Sequence, residues 1–153
     1  MKTVAFEEGR NFNWSNASED YAKYRDVYPK LFFQHIVDRG LCINGQKVLD
    51  VGTGTGVLPR NMYPYGAIWT GIDRASNQIA QAKKLASQSS MNIDFIVSSA
   101  EELDFSPETF DVITLCQCYW YIEYEKVQYL FSTWNDDNWK QAGCRLYPAF
   151  PPL

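Results

Sequence analysis

The sequence lacks the features that identify several large classes of protein. It has one histidine and four cysteines in 153 residues, without the spacing typical of a zinc site. Its 14 basic residues are outnumbered by 18 acidic ones, and the formal net charge of -4 argues against a nucleic-acid partner. We find no apolar segment of signal-peptide length at the N-terminus and no run long enough to span a membrane. We therefore expect a cytoplasmic protein with reduced thiols, no bound metal, and neither membrane nor nucleic acid as partner.

What the sequence does contain is a glycine-rich turn that follows an apolar segment. Lys47–Val51 is predicted to form a buried strand, and it carries one acid, Asp50. The turn has three glycines at alternate positions, with a threonine between the first two: Gly52, Thr53, Gly54 and Gly56. Glycine lets the backbone approach a ligand closely, and a helix that begins at such a turn offers free N–H groups. We therefore predict that this turn binds a nucleotide-like ligand.

A second acid indicates an adenosine-type ligand, and the glycine spacing indicates which one. Asp73 follows the next predicted strand, where an acid is placed to bind ribose hydroxyls. The third glycine comes one residue earlier than in the dinucleotide fingerprint, and the charge of Asp50 would repel a pyrophosphate. A sulfonium and an amino group would instead be attracted. We therefore favour S-adenosylmethionine and disfavour a nicotinamide-dependent oxidoreductase.

Strands and helices alternate along the chain, which predicts an α/β fold. We expect a Rossmann-like, mostly parallel sheet with helices on both faces. The predicted strands are 47–51, 68–72, 93–97 and 110–116, and the predicted helices begin at 18, 29, 57, 76 and 123. The helix after Asp73 is predicted to be capped by Ser76. Its inner face is predicted to consist of Ile79, Ala80, Ala82 and Leu85.

Five segments of the chain occur in an order and spacing that are more specific than any one of them. They are Trp14 with 18–21, then 48–56, 70–73, 99–103 and 110–118. Together they resemble class I S-adenosylmethionine-dependent methyltransferases of the methyltransferase domain 11 group. This resemblance implies S-adenosylmethionine as cofactor and methyl transfer to a small-molecule acceptor.

The resemblance also implies roles for single residues around the cofactor. The residues that would line its methionine and ribose are Gly52, Thr53, Gly54 and Gly56. Asp50 would lie near its amino group, often through water, and Asp73 would accept both ribose hydroxyls. Ala100 and Glu101 would cup the adenine, and Ser99 stands where the family commonly has an acid.

Further positions that match the family leave alternatives open. Arg74 either stacks on the adenine or is a surface arginine. Cys116 and Gln117 end the fourth predicted strand, where the methyl donor would face its acceptor, and we expect Cys116 and Cys118 to pack as small apolar residues. The segment 21–25 is either a lid over the cofactor or an amphipathic packing helix. We assign no catalytic residue: the only histidine, His35, lies in the middle of a predicted helix, where we expect a packed or surface side chain rather than a general base.

The predicted fold stops early. Residues 1–131 are predicted to form a partial methyltransferase domain, with a helical lid at 1–40 and the cofactor-binding core at 46–131. Residues 132–153 are predicted to be an irregular tail, so the last three of the family's usual seven strands are missing. We expect a truncated chain or a frame change near 125–135, and a homodimer through the exposed edge of the sheet. The alternative function is a non-catalytic remnant that binds cofactor weakly or acts as an interaction module.

Overall fold

The computed structural model describes residues 28–106, 109–116 and 118. The α-helices in these residues are α1 (Lys30–Val37), α2 (Val57–Met62) and α3 (Ser76–Gln88). The strands are β1 (Lys47–Val51), β2 (Ile68–Asp73), β3 (Asp94–Val97) and β4 (Val112–Thr114), and 3₁₀ turns span Tyr63–Tyr65 and Ala100–Glu102. The helices predicted to begin at 18 and 123, the lid segment 21–25 and the tail 132–153 lie outside the described residues.

The strands form one parallel sheet in the order β3-β2-β1-β4. Asp50 of β1 lies in register with Gly71 of β2 on one side and with Thr114 of β4 on the other. The chain runs from β1 outward to β2 and β3, then returns to the other side of β1, so the strand order reverses between β1 and β4. In open α/β sheets, ligands bind outside the carboxyl ends of the strands at such a switch point. The fold therefore places a candidate site where β1, β2 and β4 end.

The α-helices pack on one face of this sheet. One buried cluster joins α1 and α2 to the sheet through Phe33, Leu58, Met62, Val48, Trp69 and Val112. A second cluster joins α3 to β3 through Ile79, Ala82, Ala86 and Phe95. Because Phe95 is in register with Gly71, two residues after Trp69, it lies on the same face as that tryptophan. On the opposite face, a third cluster packs Leu49, Val51, Ile72 and Ile113 against Ala100 and Leu103.

This architecture confirms the predicted Rossmann-like parallel sheet. The prediction had helices on both faces; within the described residues the α-helices pack on one face and the 3₁₀ turn Ala100–Glu102 on the other. The fourth strand is shorter than predicted, because only Val112–Thr114 pairs with β1. Phe110, which the prediction included in it, instead packs edge-on against Phe105 with ring centroids 4.9 Å apart. No helix in the described part of the chain has the length and apolar character needed to cross a bilayer.

The start of α3 differs from the prediction. Ser76 is the first helical residue and Ala75 is the N-cap, with no hydrogen bond from a capping side chain. The chain enters the helix through a turn closed by Asp73, whose Oδ1 accepts the Ala75 N–H at 2.9 Å. The predicted cap at Ser76 was therefore wrong, because an acid three residues earlier organises this turn.

The inner face of α3 also differs from the prediction. Ala80 is exposed and Leu85 is half-buried, whereas Gln78 and Ala86 are buried with Ile79 and Ala82. Positions 78, 79, 82 and 86 share one face of a helix with 3.6 residues per turn. The helix therefore buries a polar side chain, Gln78, in a place where the sequence predicted apolar residues alone.

Candidate functional site

The loop after β1, residues 52–56, is tied to the end of β2. The Thr53 N–H donates to the Ile72 carbonyl at 2.9 Å, and the Gly54 N–H donates to Oδ2 of Asp73 at 2.9 Å. The loop closes on itself through the Gly56 N–H, which donates to the Thr53 carbonyl at 2.9 Å. These bonds fix the glycine loop against the neighbouring strand end, so the two form a single unit.

The glycines of this loop have different surroundings. Gly56 is buried, and a Cβ there would stand 2.6 Å from the Phe95 ring, so packing alone requires a glycine. Gly54 is half-exposed with φ +57°, and among the residues that the structure describes the only atom within 4 Å of a Cβ there would be Gln78 Oε1, at 4.0 Å. The open space beside the loop therefore lies at Gly54, where a ligand can approach the backbone. The predicted contact of Gly56 with a cofactor stays a prediction.

Asp73 is half-buried at the end of β2 and holds two chain segments together. Its Oδ2 accepts the Gly54 N–H and its Oδ1 accepts the Ala75 N–H, each at 2.9 Å. Each carboxylate oxygen offers a second lone pair. The side chain can therefore hold the loop and accept hydroxyl groups of a ligand at the same time.

Asp50 is buried, with 3% of its surface exposed. It accepts a hydrogen bond from the Thr114 hydroxyl at 2.6 Å, which joins the ends of β1 and β4 across the switch point. Burial raises the pKa of Asp50 to about 6; the Thr114 bond and the nearby Thr53 hydroxyl oppose this rise, and the charge of Asp73 adds to it. Asp50 thus braces the sheet beneath the loop, and its place near a ligand's amino group stays a prediction.

The described cysteines near the switch point pack as predicted. Cys116 packs against the cluster formed by α1, α2 and the sheet, and Cys118 packs against the cluster on the opposite face. The Cys118 thiol donates to the Val51 carbonyl at 2.9 Å, and its Cβ would lie 2.5 Å from a Cβ on Gly52. Burial raises the pKa of Cys118 to about 12 and that of Cys116 further still. Both thiols therefore stay protonated at neutral pH and are poor nucleophiles.

The residues predicted to bind adenine lie along the segment that follows β3. The Ser98 N–H donates to the Asp73 carbonyl at 3.0 Å, which brings this segment beside the end of β2. Ser99 precedes the 3₁₀ turn Ala100–Glu102, in which Ala100 is buried and Glu101 is half-buried. Arg74 is exposed, as both alternatives for it require, and Gln117 lies outside the described residues.

Sequence reasoning missed Thr114 and Gln78. Thr114 could not be found from one sequence, because its contact with Asp50 depends on the register of β4 against β1. Gln78 left a clearer trace, since it shares a helical face with Ile79, Ala82 and Ala86. Within residues 28–106, 109–116 and 118, no group of three acidic, cysteine or histidine side chains is arranged to hold a metal ion.

One family model matches more than half of the chain. Its description is "Methyltransferase domain", and it matches residues 48–136. This range begins inside β1 and includes the glycine loop, Asp73 and β4.

Relatives with known names are similar over the same part of the chain. The ubiquinone biosynthesis O-methyltransferase of Pasteurella multocida is 34% identical over 112 residues, which are 67% of this chain and 46% of that protein. The chain spans less than half the length of such curated relatives.

Solved structures show the same fold. An S-adenosylmethionine-dependent methyltransferase of Clostridium acetobutylicum superposes with a TM-score of 0.59 at 19% identity, covering 78% of this chain and 51% of that one. Magnesium protoporphyrin IX methyltransferase of Synechocystis, solved with bound S-adenosylmethionine, superposes with a TM-score of 0.56 at 17% identity. This superposition covers 83% of this chain and 59% of the Synechocystis protein.

Proposed function

The chain belongs to the methyltransferase domain family, and on this premise we propose that it transfers a methyl group from S-adenosylmethionine to a small-molecule acceptor. The family match confirms the methyltransferase resemblance and the cofactor that it implied, and the solved structures show the same fold. The observation that carries the proposal is the pairing of an open glycine, Gly54, with a carboxylate, Asp73, at the switch point of the sheet.

The residues of the site fit an adenosine-type cofactor. The space beside Gly54 admits a ligand against the backbone, and the lone pairs that Asp73 does not use for the loop suit ribose hydroxyls. A hydrogen bond to a charged group contributes about 1.5–3 kcal/mol. The turn that carries Ala100 lies beside Asp73, so an adenine bound there would adjoin the ribose site.

The chain's own residues supply positioning for this reaction. When bound, the cofactor supplies a sulfonium whose methyl group can be transferred directly to a nucleophilic atom of the acceptor. The glycine loop and Asp73 hold the ribose end, while Cys116 and Cys118 offer protonated, weakly polar surface at the end of β4. We assign no side-chain nucleophile, and the rate comes from orientation and exclusion of water.

The acceptor that we propose carries a hydroxyl oxygen. This rests on the names of the curated relatives, which are O-methyltransferases of ubiquinone biosynthesis. The formal net charge of -4 supports a small molecule rather than a nucleic acid. We also propose that the protein is cytoplasmic, as its composition predicts.

The second candidate function is a non-catalytic remnant that binds cofactor weakly or acts as an interaction module. The open edge of the sheet supports the interaction role. Within the described residues, β4 pairs with β1 on one side and has no strand on the other. An open strand edge is a template for pairing with another chain, so we propose a homodimer through β4. Light scattering during size-exclusion chromatography tests this, and a monomer at all concentrations would contradict it.

The function is tested by titrating the whole protein with S-adenosylmethionine in a calorimeter, with NAD as the control ligand. We expect micromolar binding of the first and none of the second. The next step is transfer of a labelled methyl group to a panel of phenols, with matched amines and thiols alongside. Transfer to the phenols supports the proposal, binding without transfer supports the second candidate, and a folded chain that binds neither ligand contradicts both.

A further inference from the structure

Arg60 of α2 binds the part of the glycine loop that follows Gly54. Its side-chain Nε–H donates to the Thr55 carbonyl at 3.1 Å, and its backbone N–H donates to the Gly56 carbonyl at 3.0 Å. The side chains of a helix lean toward its N-terminus, which brings this arginine back over the loop from which α2 starts. One residue therefore binds two successive carbonyls of the loop.

The conformation of Gly56 explains why a side chain binds the first of these carbonyls. Gly56 is the N-cap of α2 and is left-handed, with φ +74° and ψ +32°. A left-handed residue turns the peptide before it away from the helical direction, so the Thr55 carbonyl does not continue the series that helix N–H groups bond. Thr55 has 1% of its surface exposed, and a buried carbonyl without a donor is costly. The Nε–H of Arg60 supplies that donor.

Gly54 lies between two contacts of opposite chemistry. Before it, its own N–H donates to Oδ2 of Asp73 at 2.9 Å. After it, the Thr55 carbonyl accepts from Arg60, and the Gly56 N–H of the same peptide is bonded within the loop. A glycine has no side chain to restrict its torsion angles, so the conformation of Gly54 depends on these neighbouring contacts.

We propose that Arg60 is a positioning residue for the cofactor site: through the Thr55 carbonyl, it fixes the backbone of Gly54 in the conformation that admits the cofactor. This rests on the proposed function, since the cofactor is the ligand for which the loop is held. The part of Arg60 that acts is the N–H donor at Nε, not the positive charge. Without that donor the loop also adopts conformations that do not fit the ligand, and affinity falls with the fraction that fits.

Three variants separate the donor from the charge. Arg60→Gln has an amide nitrogen at the same place along the side chain as the Nε of arginine, so the donor is kept and the charge is lost. Arg60→Lys keeps the charge but has a methylene at that place, and Arg60→Met has neither donor nor charge. The matched control is Lys83→Met, which removes a positive charge from an exposed position on α3.

Affinity for S-adenosylhomocysteine is measured by calorimetry, and amide hydrogen exchange is measured by NMR on the free proteins. We expect Arg60→Gln and the control to bind within about twofold of wild type, and Arg60→Lys and Arg60→Met to bind about 3- to 10-fold more weakly. In the two weak variants the Gly56 amide should exchange faster. The Ile68 amide, which donates to the Gln46 carbonyl at 2.8 Å, should exchange as in wild type.

Affinities that follow the charge, with lysine like wild type and glutamine like methionine, would overturn the inference. Unchanged affinity in all three variants would do the same, and faster exchange at both amides would replace local positioning by a general effect on stability. If Arg60→Met does not fold, Arg60→Gln against Arg60→Lys decides, because these two differ in donor and charge in opposite senses. A folded wild type that binds no S-adenosylhomocysteine would overturn the proposed function, and this inference with it.

Discussion

The ends of β1 and β2 each carry an aspartate, and the two acids are used differently. Asp50 lies beneath the glycine loop, buried and bonded to the Thr114 hydroxyl of the neighbouring strand. Asp73 lies beside the loop, half-buried, and accepts backbone N–H groups from Gly54 and Ala75. One acid joins strands within the sheet, whereas the other joins the loop to the next helix.

This difference shows that similar residues at similar strand ends need not share a role. Burial makes the charge of Asp50 costly, which is why its pKa rises to about 6. Asp73 faces backbone donors and keeps acceptor capacity for a ligand. We therefore expect changes at Asp73 to appear mainly in binding and changes at Asp50 mainly in stability.

The largest effect is expected for Asp73→Ala. The variant loses the acceptor for the Gly54 and Ala75 N–H groups as well as the ribose contacts, so affinity for S-adenosylmethionine should fall by roughly 100-fold or more. Calorimetric titration measures this. Asp104→Ala, at an exposed loop position, is the matched control. A loss of less than about threefold would place the ribose elsewhere.

Asp50→Asn is expected to act on stability in a pH-dependent way. The folded pKa is raised above the unfolded one, so the stabilising protonated form is present at low pH and is lost as pH rises through about 6. A rise from 3.8 to about 6 corresponds to about 3 kcal/mol. Asparagine carries no charge at any pH. The variant should therefore gain stability over wild type between pH 4 and pH 8, by up to about that amount.

Thermal and urea unfolding across this pH range measure the gain, with Asp104→Asn as the exposed control. If the difference in free energy of unfolding between Asp50→Asn and wild type did not change with pH, the raised pKa of Asp50 would be contradicted. The comparison becomes sharper if Asp50→Asn lowers cofactor affinity less than Asp73→Ala does. Equal losses would mean that Asp50 contacts the ligand, as the family resemblance implies.

The glycines of the loop should separate packing from binding. In Gly56→Ala the new Cβ would stand 2.6 Å from the Phe95 ring at φ +74°, so we expect a destabilisation of about 2–3 kcal/mol. In Gly54→Ala the space is open, and only the positive φ is unfavourable, which costs about 1 kcal/mol. Urea unfolding measures both. Affinity for S-adenosylmethionine should fall more in Gly54→Ala than in Gly56→Ala. A larger fall in Gly56→Ala would indicate that the ligand contacts Gly56 instead.

The smallest effect on ligand binding is expected for Thr114→Val, which removes the donor to Asp50 and acts on stability. One hydrogen bond to a charged group is lost, at a cost of about 1.5 kcal/mol at pH 8. At pH 4 the protonated carboxyl depends less on this donor, so the cost should be smaller. Urea unfolding at the two pH values checks the difference. An equal cost at both would show that the bond does not depend on the charge of Asp50.

Local patterns were sufficient to predict much of the fold. Lys47–Val51 was predicted with its observed bounds, and β2 and β3 within one residue, because apolar runs bounded by glycine and polar residues mark buried strands. The glycine loop and Asp73 came from spacing alone. Their contact, through the Gly54 N–H, agrees with the shared site that the spacing predicts.

What could not be predicted depends on contacts between distant parts of the chain. The bond between Asp50 and Thr114 joins residues 64 apart and needs the strand register. The cap at Ser76 was wrong because Asp73 bonds to the turn before the helix, so a side chain outside the helix replaced the usual cap. The packing reason for a glycine at position 56 was likewise hidden, because the Phe95 ring beside it comes from another strand.

The twofold use of the Asp73 carboxylate has a spectroscopic consequence. Its oxygens each accept one amide proton, from Gly54 and from Ala75, so these protons sense the same charge from opposite sides. A hydroxyl that binds to this carboxylate draws electron density from both oxygens. The Gly54 and Ala75 amide resonances should therefore move together along one titration curve, which makes them a paired NMR reporter that follows occupancy without any label on the ligand.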